Sequence, residues 1–226
     1  MTERRRNATR MEIADEAVRL FVLQGVTATT AEDIASAAGV STRTLWRYFR
    51  SKEECVRPLL AAGIELATER LRAYWRGDGS FAHAISSFDD PGTVAAQPIE
   101  ALRDLVRLSR EEPGLRAVWL ESHFDAEEVF AGVIAEGTGR SAHDLTVRLE
   151  AGMLNAALRV AVEDWAGQPA NPQGPPLGET LAAALLLVAQ LFETGSAEIP
   201  AGGRMLRLPA IGPAATGDSP VRRITD

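Results

Sequence analysis

The stretch Thr29-Thr30-Ala31-Glu32-Asp33-Ile34-Ala35-Ser36-Ala37-Ala38-Gly39-Val40-Ser41-Thr42-Arg43-Thr44-Leu45-Trp46-Arg47-Tyr48-Phe49 decides how the rest of the chain is read. It spells two short helices joined by a glycine turn. Thr30 and Asp33 have capping-box spacing, in which a hydroxyl accepts an orphan amide proton and an acid three positions on reaches back. Ile34, Ala35 and Ala38 give an apolar face at helical spacing. Gly39 supplies the left-handed conformation that ends this helix, Val40 plugs the turn, and Ser41 caps a second helix running to about residue 49. There Leu45, Tyr48 and Phe49 fall at i, i+3 and i+4 and are expected to face the core. Arg43, Thr44 and Arg47 lie on other faces and suit a major groove, since arginine bonds guanine edges bidentately and threonine meets a base or phosphate oxygen. Trp46 and the Tyr48 hydroxyl are placed to press on the sugar–phosphate wall, and Ser41 and Thr42 complete the expected DNA-contact set. An ordinary helical hairpin shares the packing pattern but not this agreement of capping, glycine spacing and exposed side chains.

The charge distribution fits that reading. The 226 residues carry a formal net charge of −7, which argues against a polyanionic partner until the chain is divided. Residues 1–57 hold 10 Arg/Lys against 8 Asp/Glu, and the remainder holds 14 against 23. A basic head on an acidic body is the sign asymmetry expected of a DNA-binding end. Arg4, Arg5, Arg6 and Arg10 are read as a flexible basic arm over residues 1–9 and its border, with Arg5 and Arg6 reaching backbone or minor groove. Arginine outnumbers lysine 23 to 1, a composition bias and not a functional signal. The lone Cys55 has no partner for an intrachain disulfide, and its acidic neighbours disfavour a reactive thiolate. No hydrophobic leader precedes the first helix, and the longest apolar run, residues 181–189, is too short to cross a bilayer. A cytoplasmic location is the expectation.

The body reads as helices throughout, so the expected fold class is all-α. A fourth helix is predicted over 52–75, with Pro58 inside it and a kink there. Turns at 77–80 and 89–92 flank a short apolar piece. Helices follow at 98–110, 115–122, 125–136 (opened by Asp125 and Glu128), 141–165 (opened by Ser141 and Asp144) and 179–193. The tail beyond residue 195 is rich in Gly and Pro and reads as irregular. Leu149, Met153, Ala156, Ala157, Val160 and Asp164-Trp165 recur along one long helix. Leu181, Ala184, Leu185, Val188, Leu191 and Phe192 recur along the last. Both read as dimerisation faces, because residues 182–189 are apolar all round and need more than one partner to hide them. Trp75, Phe81, Phe88, Leu102, Leu105, Trp119, His123, Phe124, Phe130 and Trp165 are candidate walls of a cavity for an apolar or amphipathic ligand. His83, His123 and His143 are far apart and form no metal-ligand cluster, and no phosphate loop or nucleophile elbow is present. No metal, cofactor or enzymatic activity is expected.

The first helix over 10–23, Gly25, and the run Thr30 to Lys52 together resemble the N-terminal domain of the TetR family of transcriptional regulators. The matching signature is Thr29-Thr30-Ala31-Glu32-Asp33-Ile34-Ala35, Ala38-Gly39-Val40-Ser41, Thr44-Leu45 and Tyr48-Phe49-Arg50-Ser51-Lys52-Glu53-Glu54. Trp46 stands where the family often has tyrosine, and Tyr48 where it has histidine or another aromatic. The resemblance implies a three-helix DNA-binding domain over 1–52, a helical ligand-binding and dimerisation domain over 53–195, and a tail over 196–226. It further implies that Thr30 and Lys52 hold phosphates, that a homodimer binds a near-palindromic operator, and that a small molecule releases it. A regulator without a small-molecule effector is the alternative.

Overall fold

The computed structural model describes residues 3–77, 99–169 and 174–194, with side chains as far as Val188 in the last of these. Every regular element among the described residues is helical. α1 spans Glu3–Gln24, α2 Ala31–Ala37, α3 Thr42–Tyr48 and α4 Arg57–Arg76, the last preceded by a 3-10 turn at Glu53–Val56. α5 (Ile99–Glu111), α6 (Pro113–Thr138), α7 (Leu145–Gly167) and α8 (Leu177–Thr194) complete the body. The apolar piece with Phe81 and Phe88, and the tail beyond residue 195, lie outside the described residues.

Three expectations are corrected. The segment read as a flexible arm is helical from Glu3. Arginine is a good helix former, Arg6 pairs with Glu3 at 3.4 Å, and the Thr9 hydroxyl donates to the Arg5 carbonyl at 3.1 Å. The fourth helix does not run unbroken from residue 52. A 3-10 turn precedes it, and Pro58 falls in the first turn of α4, where its missing N–H costs nothing. No mid-helix kink results. Finally, the two helices expected at 115–122 and 125–136 are one, because Asp125 is not a cap but reaches the Arg57 guanidinium at 3.3 Å.

The helices enclose one continuous core that extends from Ile13 on α1 to Leu185 on α8. α1 buries Ile13, Ala14, Ala17, Val18 and Phe21, and it ends at Gly25, whose φ of 84° only glycine adopts freely. Cys55 and Val56 are wholly buried beneath α1, so the 3-10 turn is the hinge point between head and body. In the body α6 packs against α4, α5 and α7, and α7 against α8. The turn between α6 and α7 is locked by a buried ion pair. Arg140 donates to Glu150 through Nη1 at 2.9 Å and Nη2 at 2.5 Å, and Glu150 is 5% exposed.

α4 and α6 approach closely at Gly137. A Cβ there would lie 2.3 Å from the Trp75 ring. Trp75 therefore serves this helix crossing, and Gly137→Ala is expected to cost about 1–3 kcal/mol through overpacking. Urea unfolding of that variant checks it, and an unchanged midpoint would refute the close approach.

Candidate functional site

The hairpin forms as its local chemistry dictates. The Thr30 hydroxyl accepts from the Asp33 amide at 3.1 Å, and the Asp33 carboxylate accepts from the Thr30 amide at 2.9 Å, so the capping box is complete. The same carboxylate takes the Thr30 hydroxyl proton at 2.7 Å. These bonds from Thr30, side chain first and backbone second, hold the Asp33 carboxyl below its ordinary range. Thr30, expected to meet a phosphate, thus has its hydroxyl engaged within its own turn. Gly39 makes the turn with φ 65°, and the Val40 amide closes it on Ala35 at 2.9 Å.

Ser41 caps α3, its hydroxyl accepting from the Thr44 amide at 3.1 Å and lying 2.9 Å from the Thr44 hydroxyl. Leu45 and Phe49 are buried, whereas Tyr48 is only half-buried. Arg43, Trp46 and Arg47 stand exposed on the outer face with half-buried Thr42 and Thr44. Arg47 is turned along the surface. Its guanidinium lies 5.0 Å from the Tyr48 ring centroid, and Nη2 donates to the Tyr48 hydroxyl at 3.3 Å. Arg43 is therefore the arginine of this pair free of a side-chain partner. Arg5 and Arg6 are exposed on the first turns of α1.

Lys52, expected to hold a phosphate, is turned inward instead. Its ammonium donates to the carbonyls of Val26 at 2.5 Å and Thr29 at 2.8 Å. This ties the loop before α2 to the segment after α3 and so fixes the angle of the hairpin. Thr29 reinforces the same loop, its buried hydroxyl donating to the Gly25 carbonyl at 2.8 Å. Cys55 is inert for a physical reason. Burial, with Glu53 and Glu54 adding to it, pushes its thiol up to about 12.

In the body a cavity of about 340 Å³ opens between α4, α5, α6, α7 and α8. Of the expected walls, Leu102, Trp119, His123 and Phe130 line it. The others do not. Trp75 packs on Gly137, Leu105 is sealed in the core, Trp165 is buried with the Arg103 guanidinium 4.1 Å from its ring centroid, and Phe124 is exposed on the outside of α6. Sequence reasoning missed, among other wall residues, Leu60, Ile64, Asn155, Leu158, Leu177 and Leu181. Asn155, a polar residue within the apolar run of α7, was the one with a readable signal. It is 4% exposed and bonds to His123 through both ends of its amide. Trp119 donates to Glu163 at 2.9 Å, and the same oxygen takes a bond from Arg159 at 3.0 Å. Burial, ahead of any other influence, holds the His123 imidazole below its ordinary value and hence neutral near pH 7. Among the described residues no His, Cys, Asp and Glu cluster has metal-binding geometry, and no helix is long and apolar enough to cross a membrane.

Known proteins match this arrangement at both ends. Residues 13–59 fit the family model for bacterial regulatory proteins of the tetR family, and residues 80–193 fit the MftR C-terminal domain. TcmR of Streptomyces glaucescens, an HTH-type transcriptional regulator, is 29% identical over 172 residues, 73% of this chain and 76% of its own. KstR2 of Rhodococcus jostii, an HTH-type transcriptional repressor, is 27% identical over 165 residues, 70% of this chain and 79% of its own. Among solved structures, FadR of Thermus thermophilus, a TetR-family repressor in complex with lauroyl-CoA, superposes with a TM-score of 0.51. It is 23% identical, covering 86% of this chain and 99% of its own, a likeness of fold.

Two substitutions separate reading from scaffolding in the head. Arg43→Ala is expected to lower specific binding to a duplex from upstream of the gene by about 1–3 kcal/mol in fluorescence anisotropy. Lys52→Met is expected to lower unfolding stability by about 1–3 kcal/mol, because two carbonyls lose their donor. Full stability with only a flatter salt dependence of DNA binding would return Lys52 to the phosphate backbone.

Proposed function

The chain belongs to the TetR family of transcriptional regulators, a ligand-responsive DNA-binding protein and not an enzyme, and on that premise we propose that it is a cytoplasmic homodimeric repressor released from a near-palindromic operator when a small apolar molecule fills the cavity. Arg43, Thr44 and Arg47 read bases from the major groove. Ser41, Thr42, Trp46 and Tyr48 contact the backbone, and Thr30, Arg5 and Arg6 flank it.

The dimer is supported by apolar side chains left uncovered on the last two helices. Leu145, Leu149 and Val160 on α7 and Leu187 on α8 are more than half exposed. Their spacing makes a stripe that a second copy would hide. Ala157 and Trp165, expected on that face, are instead buried within the protomer.

One observation carries the switching mechanism. His123, at the cavity wall, lies on α6 between Glu121 and Asp125, and both of these hold Arg57 at the first residue of α4. Glu54, in the 3-10 turn beneath the head, takes the same guanidinium at 3.0 Å. A ligand that displaces α6 therefore pulls on the junction from which the DNA-binding head is hung. Its leverage equals its differential affinity for the two arrangements.

The double variant Glu121→Gln/Asp125→Asn tests this without touching α3. Operator affinity is expected to fall several-fold in a gel shift. Stability should change by no more than about 1 kcal/mol, since both carboxylates are solvent-exposed. Wild-type affinity and wild-type ligand response together would remove Arg57 from the mechanism.

A further inference from the structure

We infer that the cavity selects an uncharged, largely apolar molecule carrying a hydroxyl or N–H donor, which it receives on Nε2 of His123, and that it discriminates against anions. This rests on the cavity being the effector site and specifies what that site accepts.

The tautomer of His123 follows from its neighbour. The Asn155 Nδ2 lies 2.9 Å from the His123 carbonyl and 3.3 Å from a Glu127 carboxylate oxygen. Both of those oxygens only accept, so the amide nitrogen must face them and the amide oxygen must face the imidazole. That oxygen lies 2.8 Å from Nδ1 of His123. An amide oxygen only accepts, so Nδ1 carries the proton. Burial keeps the ring neutral against the nearby carboxylates of Glu163 and Glu127, and the Arg159 charge acts in the same sense as burial. Nε2 is then a bare lone pair, with no hydrogen-bond partner among the described residues. The Trp119 ring, edge-on at 4.3 Å between centroids, fixes the imidazole plane.

The other polar groups at the cavity give a ligand no cation to meet. The Trp119 N–H is engaged by Glu163, and no lysine or arginine belongs to the lining among the described residues. The charged lining residues are Glu65 and Glu69, both exposed and therefore on its open side. A carboxylate or phosphate entering would lose hydration, pass two like charges and find an acceptor at the polar end. A hydroxyl would find the lone pair it needs. Aliphatic walls from Leu60, Ile64 and Leu102 with the Phe130 ring take the remainder of the molecule.

Matched probes on the full-length dimer decide the matter: 9-phenanthrol, 9-methoxyphenanthrene and phenanthrene-9-carboxylate, by calorimetry at pH 7.5. The phenol is expected to bind about tenfold or more tighter than the ether, which leaves Nε2 unpaired, and the carboxylate to bind weakest. His123→Phe, which keeps an aromatic ring in place, is expected to bring phenol and ether to equal affinity. An ether or carboxylate matching the phenol in the wild-type protein overturns the donor requirement while leaving the cavity as an effector site. Binding of none of the three up to their solubility limits overturns both. The wild-type ranking stands as the test even if the variant does not fold.

Discussion

At the start of α4 the Arg57 guanidinium meets three carboxylates from two directions: Glu54 from the 3-10 turn below the head, and Glu121 and Asp125 from α6 in the body. Beneath it Cys55 and Val56 are sealed between α1 and the body, so the charged fan sits on a fully desolvated base. The ion pairs themselves are partly exposed and contribute modestly to stability. Their importance is directional. A hydrophobic plug holds two parts together at many angles of similar energy, whereas a guanidinium held by three fixed carboxylates selects one.

From that junction the two functional parts diverge. Upward, Lys52 and Thr29 tie the loop before α2 to the segment following α3, so the recognition helix inherits the orientation of the junction. Downward, α6 carries Glu121 and Asp125 one turn apart on one face and His123 between them on the other, so the cavity wall and the junction become two faces of the same helix. The Arg140–Glu150 pair anchors the far end of α6 to α7, and Gly137 lets Trp75 hold it against α4. With that end fixed, the proposed displacement at the cavity would be directed toward Arg57. The acidic open side of the cavity and the acceptor at its base suit an uncharged visitor, one that moves the helix without bringing a counter-charge to the junction.

The backbone of the hairpin was legible in the sequence because its determinants are local, although Tyr48, expected in the core, is only half-buried. A capping box, a left-handed glycine and a serine cap each act within four residues. The body was legible in class but not in joints, where partners distant in sequence or an adjacent 3-10 turn decide the outcome. Asp125 has the look of a helix start, yet its carboxylate belongs to Arg57 across the fold. Pro58 suggests a kink only if the preceding 3-10 turn, which keeps nearly the same side-chain spacing as an α-helix, goes unseen. Lys52 was expected on a phosphate because nothing in its neighbourhood announces the carbonyls of Val26 and Thr29. The cavity was half legible. Aromatics such as Trp75 and Trp165 are equally suited to walls and to helix crossings, while Leu181 was read toward a dimer partner when it turns inward to the ligand space, and Leu177 lay before the expected start of the last helix.

The direct measurement of the junction's role is the distance between the two heads of the proposed dimer. Ser36 is exposed on α2, and the native Cys55 thiol is too buried to react, so Ser36→Cys takes a spin label selectively. Double electron–electron resonance on that protein is predicted to give one narrow distance distribution, and Arg57→Ala on the same background a broad one. An equally narrow, unshifted distribution in the Arg57→Ala protein would contradict the claim that this guanidinium sets the position of the DNA-binding head.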